Sequence, residues 1–215
     1  MTLSLEVLPD AQAAAVRVAA LVAGRARSAE NGFSLAVSRG AALFQALAEE
    51  DVPWERVAIY QVDERVAPPG HPDRNLTQLL DQLSDQARPD LHAMPVDDPN
   101  LDAAAARYAA ALPEALDLVH LGLGEDGHTA SLVPGDPVLE VTDRLVAVTG
   151  EYQGRRRMTL TYPALAAAHE VVWLVTGESK RDALAKLLSR DSSIPAARVA
   201  AETQLVVADE AAAGK

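Results

Sequence analysis

A three-layer α/β fold with a mostly parallel sheet is predicted by two observations. Apolar, strand-like runs alternate with helical stretches along the whole chain, which is how successive βαβ units read in sequence. Polar and glycine-containing clusters then follow four of those runs directly: Ser38–Gly40, Asp63–Arg65, Gly124–Ser131 and Lys180. Open α/β sheets bind their ligands there, outside the carboxyl ends of the strands.

The elements follow in order. Leu3–Leu8 alternates as a first strand. Pro9 and Asp10 start a helix to about residue 30, with Ala, Val and Leu on one face and Arg17, Arg25 and Arg27 on a solvated one. Asn31-Gly32 is a turn and Phe33–Val37 the second strand. Ser38-Arg39-Gly40 leads into a helix from about Ala41 to Glu50. A strand, a glycine turn and a helix start make a phosphate cradle, because free N–H groups and the helix dipole point outward there. The same tripeptide also reads as an ordinary helix start. Val57–Val62 is the third strand and runs into Asp63-Glu64-Arg65. Arg65 has the fork for carboxylate or phosphate oxygens, and these three charges fit an internal salt-bridge network equally well. A Pro-rich ordered loop follows, then a helix over Leu76–Leu83, a short strand at His92–Val96 and an Ala-rich helix over Asn100–Leu112 in which Tyr108 packs.

Leu116–Leu121 reads as a buried parallel strand. It opens the stretch around which the rest is organised, Leu121–Gly135 or LGLGEDGHTASLVPG. Its glycines at 122, 124 and 127 permit tight turns and close approach to a ligand. Asp126 and His128 stand at the tip. An imidazole takes a proton from water near neutral pH without a large shift, and an adjacent carboxylate orients it. Capping of loop backbone groups is the plainer role for such residues. Ser131 has no base placed on it in the manner of a triad. Leu145–Val148 is the next strand, Gly150–Gly154 a turn, and Arg155-Arg156-Arg157 enters another strand; three arginines in a row also read as a solvated basic turn. Glu170–Thr176 is a core strand, and Gly177-Glu178-Ser179-Lys180 opens a helix to about Leu188. Lys180 in a first helical turn is disfavoured by the dipole unless an anion is near. Pro195–Val199 is a turn, Gln204–Val207 an edge strand and Asp209 onward a frayed tail.

Composition narrows the function. The 215 residues suit a single domain over 1–215. A net charge of −12 argues against a nucleic-acid partner and makes every grouped Arg or Lys a candidate local anion site. No apolar run is long enough to span a bilayer and no signal peptide opens the chain, so no membrane partner and a cytoplasmic location are expected. With no cysteine there is no thiolate nucleophile or thiolate metal site. His71, His92, His120 and His169 show no metal spacing; His71 lies in a loop beside the expected site and the other three read as structural or surface residues.

The stretch from Gly122 to Gly135 resembles the signature of the 6-phosphogluconolactonase family, G-x-G-x-D-G-H-T-A-S-L-x-P-G. Asp63–Asn75 resembles a second signature, D-E-R-x-V-P-x-x-H-P-x-S-N, with Ala67 for Val and Arg74 for Ser. Arg157–Leu165 is similar to R-[IV]-T-L-T-x-P-A-L, and Gly177–Lys180 to the family's G-x-x-K helix start. The likeness extends from Phe33 to Asp209. It implies a Rossmann-like domain that uses no metal or organic cofactor and hydrolyses a small phosphosugar lactone, 6-phospho-D-glucono-1,5-lactone. It further implies that Arg157 and Lys180 hold the phosphate together with Ser38, Arg39 and Gly40. His128 is then general base on water, Arg65 or a loop N–H meets the carbonyl oxyanion, and Asp63 or Asp126 holds sugar hydroxyls or orients His128. Where the family reads S-G-G-S-T-P, this chain has the shorter Ser38-Arg39-Gly40-Ala41-Ala42-Leu43, so Arg39 either replaces the lost hydroxyls or blocks the pocket. The alternatives are a sugar-phosphate isomerase or deaminase of the same fold, which would carry Tyr at 65 and a Glu after the loop, and a non-catalytic sugar-phosphate binding protein. A monomer or weak homodimer is expected.

Overall fold

The computed structural model describes residues 2–83 and 89–215. Their strands are β1 (Thr2–Leu8), β2 (Phe33–Val37), β3 (Val57–Gln61), β4 (Asp63–Arg65), β5 (Asp90–His92), β6 (Leu118–Leu121), β7 (Val146–Val148), β8 (Arg157–Leu160), β9 (Glu170–Val175) and β10 (Thr203–Asp209). The helices are α1 (Ala11–Ser28), α2 (Ala41–Leu47), α3 (Asn75–Gln82), α4 (Leu101–Ala111), α5 (Tyr162–Ala166), α6 (Arg181–Leu188) and α7 (Glu210–Ala213). Seven strands form one parallel sheet in the order β1-β10-β9-β6-β2-β3-β5. A small antiparallel sheet, β4-β8-β7, lies apart from it.

Helices on both faces bury the main sheet, so its strands read as near-continuous apolar runs. Alternate residues serve opposite faces. Leu35 and Val37 pack with α1 and α2, whereas Ala36 faces a second cluster built with α4, α5 and α6. Helix α1 starts where Asp10 accepts a hydrogen bond from the Ala13 N–H (2.8 Å) and buries a small-residue face including Ala15, Ala19, Ala23 and Ala26. Its arginines are not merely solvated: Arg17 pairs with Glu6 of β1 (2.7 Å) and Arg25 with Glu170 of β9 (2.8 Å).

Four sequence expectations are corrected. The strand at Gln204–Val207 is not an edge. β10 runs between β1 and β9 and is buried from Gln204 to Asp209, because the amino-terminal strand adds outside it. The tail after Asp209 is the short helix α7, capped by Asp209 accepting from the Ala212 N–H (2.8 Å), with Ala212 buried. The strand placed at His92–Val96 is Asp90–His92, the stretch that pairs with β3. Asp63–Arg65, read as a polar cluster trailing the third strand, is a strand of its own, β4, antiparallel to β8.

His120 at the end of β6 is 2% exposed, and neither ring nitrogen meets a hydrogen-bond partner among the described residues. Burial pushes its pKa down to about 4. The unfolded chain, with an ordinary imidazole near 6.5, therefore takes up the proton first. His120's contribution is whole above about pH 6.5 and is lost as pH falls towards about 4, at a cost of about 2–3 kcal/mol. Denaturant unfolding of the wild type and His120→Leu across this range should give stability curves that diverge on the acid side, the variant falling less. Parallel curves would remove His120 as the titrating group.

Candidate active site

The cleft opens where the carboxyl ends of β2, β3, β6 and β9 meet the start of β8. It measures about 210 Å³, and Ser38, Arg39, Asp63, Arg65, His128, Arg157 and Lys180 line it. Two predicted residues stand just outside. Gly40 packs against the His120 ring, where a Cβ would lie 3.0 Å from its Cε1. Asp126 lies behind His128.

The glycine-rich loop is shaped to hold an acid–imidazole pair. His128 Nδ1 lies 2.5 Å from Asp126 Oδ1, and the His128 backbone N–H donates to the same oxygen (3.1 Å). Burial raises the Asp126 carboxyl, but the hydrogen bonds and charge from His128, with a smaller contribution from Tyr152, outweigh it and leave the pKa below the ordinary carboxylate value. With its Nδ1 proton held by Asp126, the ring is left with Nε2 as its basic nitrogen. The pair depends on Gly124, whose backbone bonds to His128 O (2.8 Å). A Cβ there would overlap His128 Nδ1 and sit 2.6 Å from Asp126 Oδ1. Gly127 has φ +80° and abuts Ile194, so it too admits no side chain. Gly124→Ala should therefore break the Asp126–His128 pair and cut turnover by at least about tenfold while the fold survives, a loss typical of small displacements in an active site. Steady-state kinetics beside a far-ultraviolet spectrum checks this.

The Asp63-Glu64-Arg65 run divides its labour by strand alternation. Asp63 and Arg65 line the cleft, while Glu64 is fully buried on the other side. The Glu64 carboxylate accepts from the N–H groups of Asn75 (2.7 Å) and Leu76 (2.8 Å) at the start of α3, and from Gln61 Nε2 (3.0 Å). Buried Arg74 is ion-paired with it at 3.3 Å. The salt-bridge reading is thus correct for Glu64. Asp63 accepts from Ser131 Oγ (2.6 Å) and Asn75 Nδ2 (3.1 Å). Burial raises its pKa, opposed by the Ser131 bond and the Arg157 charge. Ser131 is fully buried with its hydroxyl committed to Asp63.

Four cations, Arg39, Arg65, Arg157 and Lys180, face one lining carboxylate, Asp63, in a chain of net charge −12. Arg157 is 5% exposed, and its Nε has no hydrogen-bond partner among the described residues. Burial lowers its pKa, and the nearby charges of Arg65 and Arg39 lower it further against the pull of Asp63. Such mutual repulsion is relieved when an anion enters. Lys180 does not lie in the first turn of α6. It ends a 3-10 turn (Glu178–Lys180) just before the helix, with Nζ 3.8 Å from Glu125 Oε1.

His71 and Arg155 stay out of the cleft lining. Arg155 binds Asp73 (2.8 Å) and lies 3.3 Å from His71 Nε2. Sequence reasoning missed Asn75, which lines the cleft and fixes Asp63, and Tyr152, whose ring lies against both His128 and Arg157. Among the described residues no three His, Asp or Glu side chains are grouped as metal ligands, and no helix is long and apolar enough to cross a membrane.

An open parallel sheet with a cationic cleft and an acid–imidazole pair at its strand ends defines a Rossmann-like α/β protein built for a small anionic ligand. The sequence model of the glucosamine-6-phosphate isomerases/6-phosphogluconolactonase family matches residues 9–207, and the chain belongs to that family. It is 35% identical to a 6-phosphogluconolactonase of Nostoc sp., with 100% of this chain and 98% of that protein aligned. It is also 35% identical to one of Rattus norvegicus, over 97% of this chain and 92% of that one. Among solved structures, a 6-phosphogluconolactonase from Thermotoga maritima superposes with a TM-score of 0.86 at 24% identity, covering 97% of this chain and all of that one. A monomeric glucosamine-6-phosphate deaminase gives 0.81 at 17% identity, covering 98% and 99%. These two share the fold.

Proposed function

We propose that this chain is a 6-phosphogluconolactonase, hydrolysing 6-phospho-D-glucono-1,5-lactone to 6-phosphogluconate in the oxidative pentose phosphate pathway, with His128 as general base. The observation that carries the mechanism is the Asp126–His128 contact of 2.5 Å beside the four-cation cleft. Arg157 and Lys180 hold the phosphate with Ser38 and Arg39, the last replacing hydroxyls absent from the shortened turn. His128 Nε2 takes a proton from water as the oxygen attacks the lactone carbonyl carbon. Arg65 or a loop N–H receives the developing oxyanion. On collapse the carbonyl re-forms, the bond to the ring oxygen breaks, and the proton on His128 passes to that oxygen. Asp126 keeps the imidazole oriented throughout.

Turnover of freshly made lactone, corrected for spontaneous hydrolysis, tests this reading against glucosamine 6-phosphate as a second substrate. Fast hydrolysis of the lactone alone is expected. Turnover of the amino sugar alone would move the chain to the deaminase class, and tight 6-phosphogluconate binding without turnover would make it a binding protein.

A further inference from the structure

Tyr152 touches both halves of the cleft. Its hydroxyl donates to Asp126 Oδ2 at 3.3 Å, opposite the oxygen that holds His128. Its ring meets the His128 ring edge-on, with centroids 5.8 Å apart and planes at 62°. The Arg157 guanidinium carbon lies 4.9 Å from the centroid of the same ring. A tight turn fixes this placement: Gln153 and Gly154 both take positive φ (53° and 77°), and the Tyr152 and Arg155 backbones bond across it (2.9 Å) before the chain enters β8 at Arg157.

We propose that Tyr152 is a positioning residue that ties the Asp126–His128 pair to the phosphate-binding arginine. The proposal rests on the lactonase reading of the cleft. The Asp126 side chain is 41% exposed, and a carboxylate so placed swings unless its second oxygen is held. The Tyr152 hydroxyl holds it and draws charge from it. Towards Arg157 the ring does something a carboxylate would not. Among the described residues no Asp or Glu is ion-paired with Arg157; its Nη2 donates to Gln153 Oε1 (3.2 Å), and the π face anchors the cation from one side while leaving its remaining N–H donors for an incoming phosphate.

The test compares Tyr152→Phe with Tyr152→Leu in the full chain. It uses the pH profile of kcat/KM, the NMR titration of the His128 ring, and binding of inorganic phosphate. Facing His128 are Asp126 on its own loop, Tyr152 with Arg157 behind it, and Asp63, Arg65 and Lys180 across the cleft. Only the hydroxyl changes in the Phe variant. Without that donor Asp126 pulls harder on the imidazole proton, so the acid limb of the profile and the ring titration should move up by a few tenths of a pH unit. Phosphate affinity should hold. Tyr152→Leu should show the same shift and also weaken phosphate binding by about three- to fivefold, the worth of a partly exposed cation–π contact. Unmoved titration in Tyr152→Phe, or equal phosphate binding by Phe and Leu variants, would overturn the proposal. If the wild type hydrolyses no lactone, the functional reading fails by itself, and the NMR and phosphate measurements still decide the role of Tyr152.

Discussion

His128→Ala should lose about 10²–10⁴ in kcat on fresh lactone, the usual worth of a positioned general base. Spontaneous hydrolysis must be subtracted, because the lactone opens unaided. Affinity for 6-phosphogluconate should stay near wild type. The cations expected to hold its phosphate stand elsewhere in the cleft, and His128 is ion-paired only with Asp126 among the described residues. The acid limb of the wild-type pH profile should vanish with the imidazole, since below its titration the base is already protonated. Asp126→Asn is the milder companion. It keeps the shape of the loop but offers Nδ1 an amide in place of a carboxylate, so the ring loses its fixed tautomer and its charge partner. Turnover that survives His128→Ala would leave the reaction class standing and remove His128 as base. Loss of both turnover and binding would mean that the substitution had collapsed the loop.

What the sequence made legible follows from how local each determinant is. The parallel core showed because its strands, buried on both faces, are short apolar runs between glycine and polar punctuation. Ser38, Arg39, Asp63, Arg65 and His128 showed because they follow such runs, whereas Arg157, which starts β8, stood out through the family likeness. Strand β4 did not show, because its three residues are all charged and its pairing with β8 spans nearly a hundred positions. The place of β10 was hidden for a similar reason: whether a strand is an edge depends on which other strand arrives beside it. The role of Glu64 is invisible without the tertiary fold. Nothing local says that its carboxylate will cap α3 and pair with Arg74. Tyr152 sat in a segment read only as a turn, although Gln-Gly at 153–154 carries the cue for a two-residue reversal that would have placed it near Arg157.

Arg157→Met should raise KM for the lactone by about 10–100-fold and lower kcat at saturation far less, the pattern of an interaction made in ground state and transition state alike. Arg157→Lys should recover part of the loss, since it restores charge without the guanidinium fork. Stability is a separate matter, because two buried groups respond. Removing Arg157 relieves the desolvation of a cation whose Nε has no hydrogen-bond partner among the described residues. It also deprives Asp63 of a charge that opposes the upward shift burial imposes on its carboxyl. Asp63 in the variant should then stay protonated to higher pH than in the wild type. The folded variant binds that proton more tightly than the unfolded chain does. Its stability relative to wild type should therefore decline with rising pH over the range, above that of an ordinary carboxylate, in which the proton is given up. Denaturant unfolding at both ends of that range reads the slope. An unchanged KM would place the phosphate away from Arg157, whereas a raised KM with a flat difference in stability would keep the phosphate site and show that Asp63 does not feel the Arg157 charge.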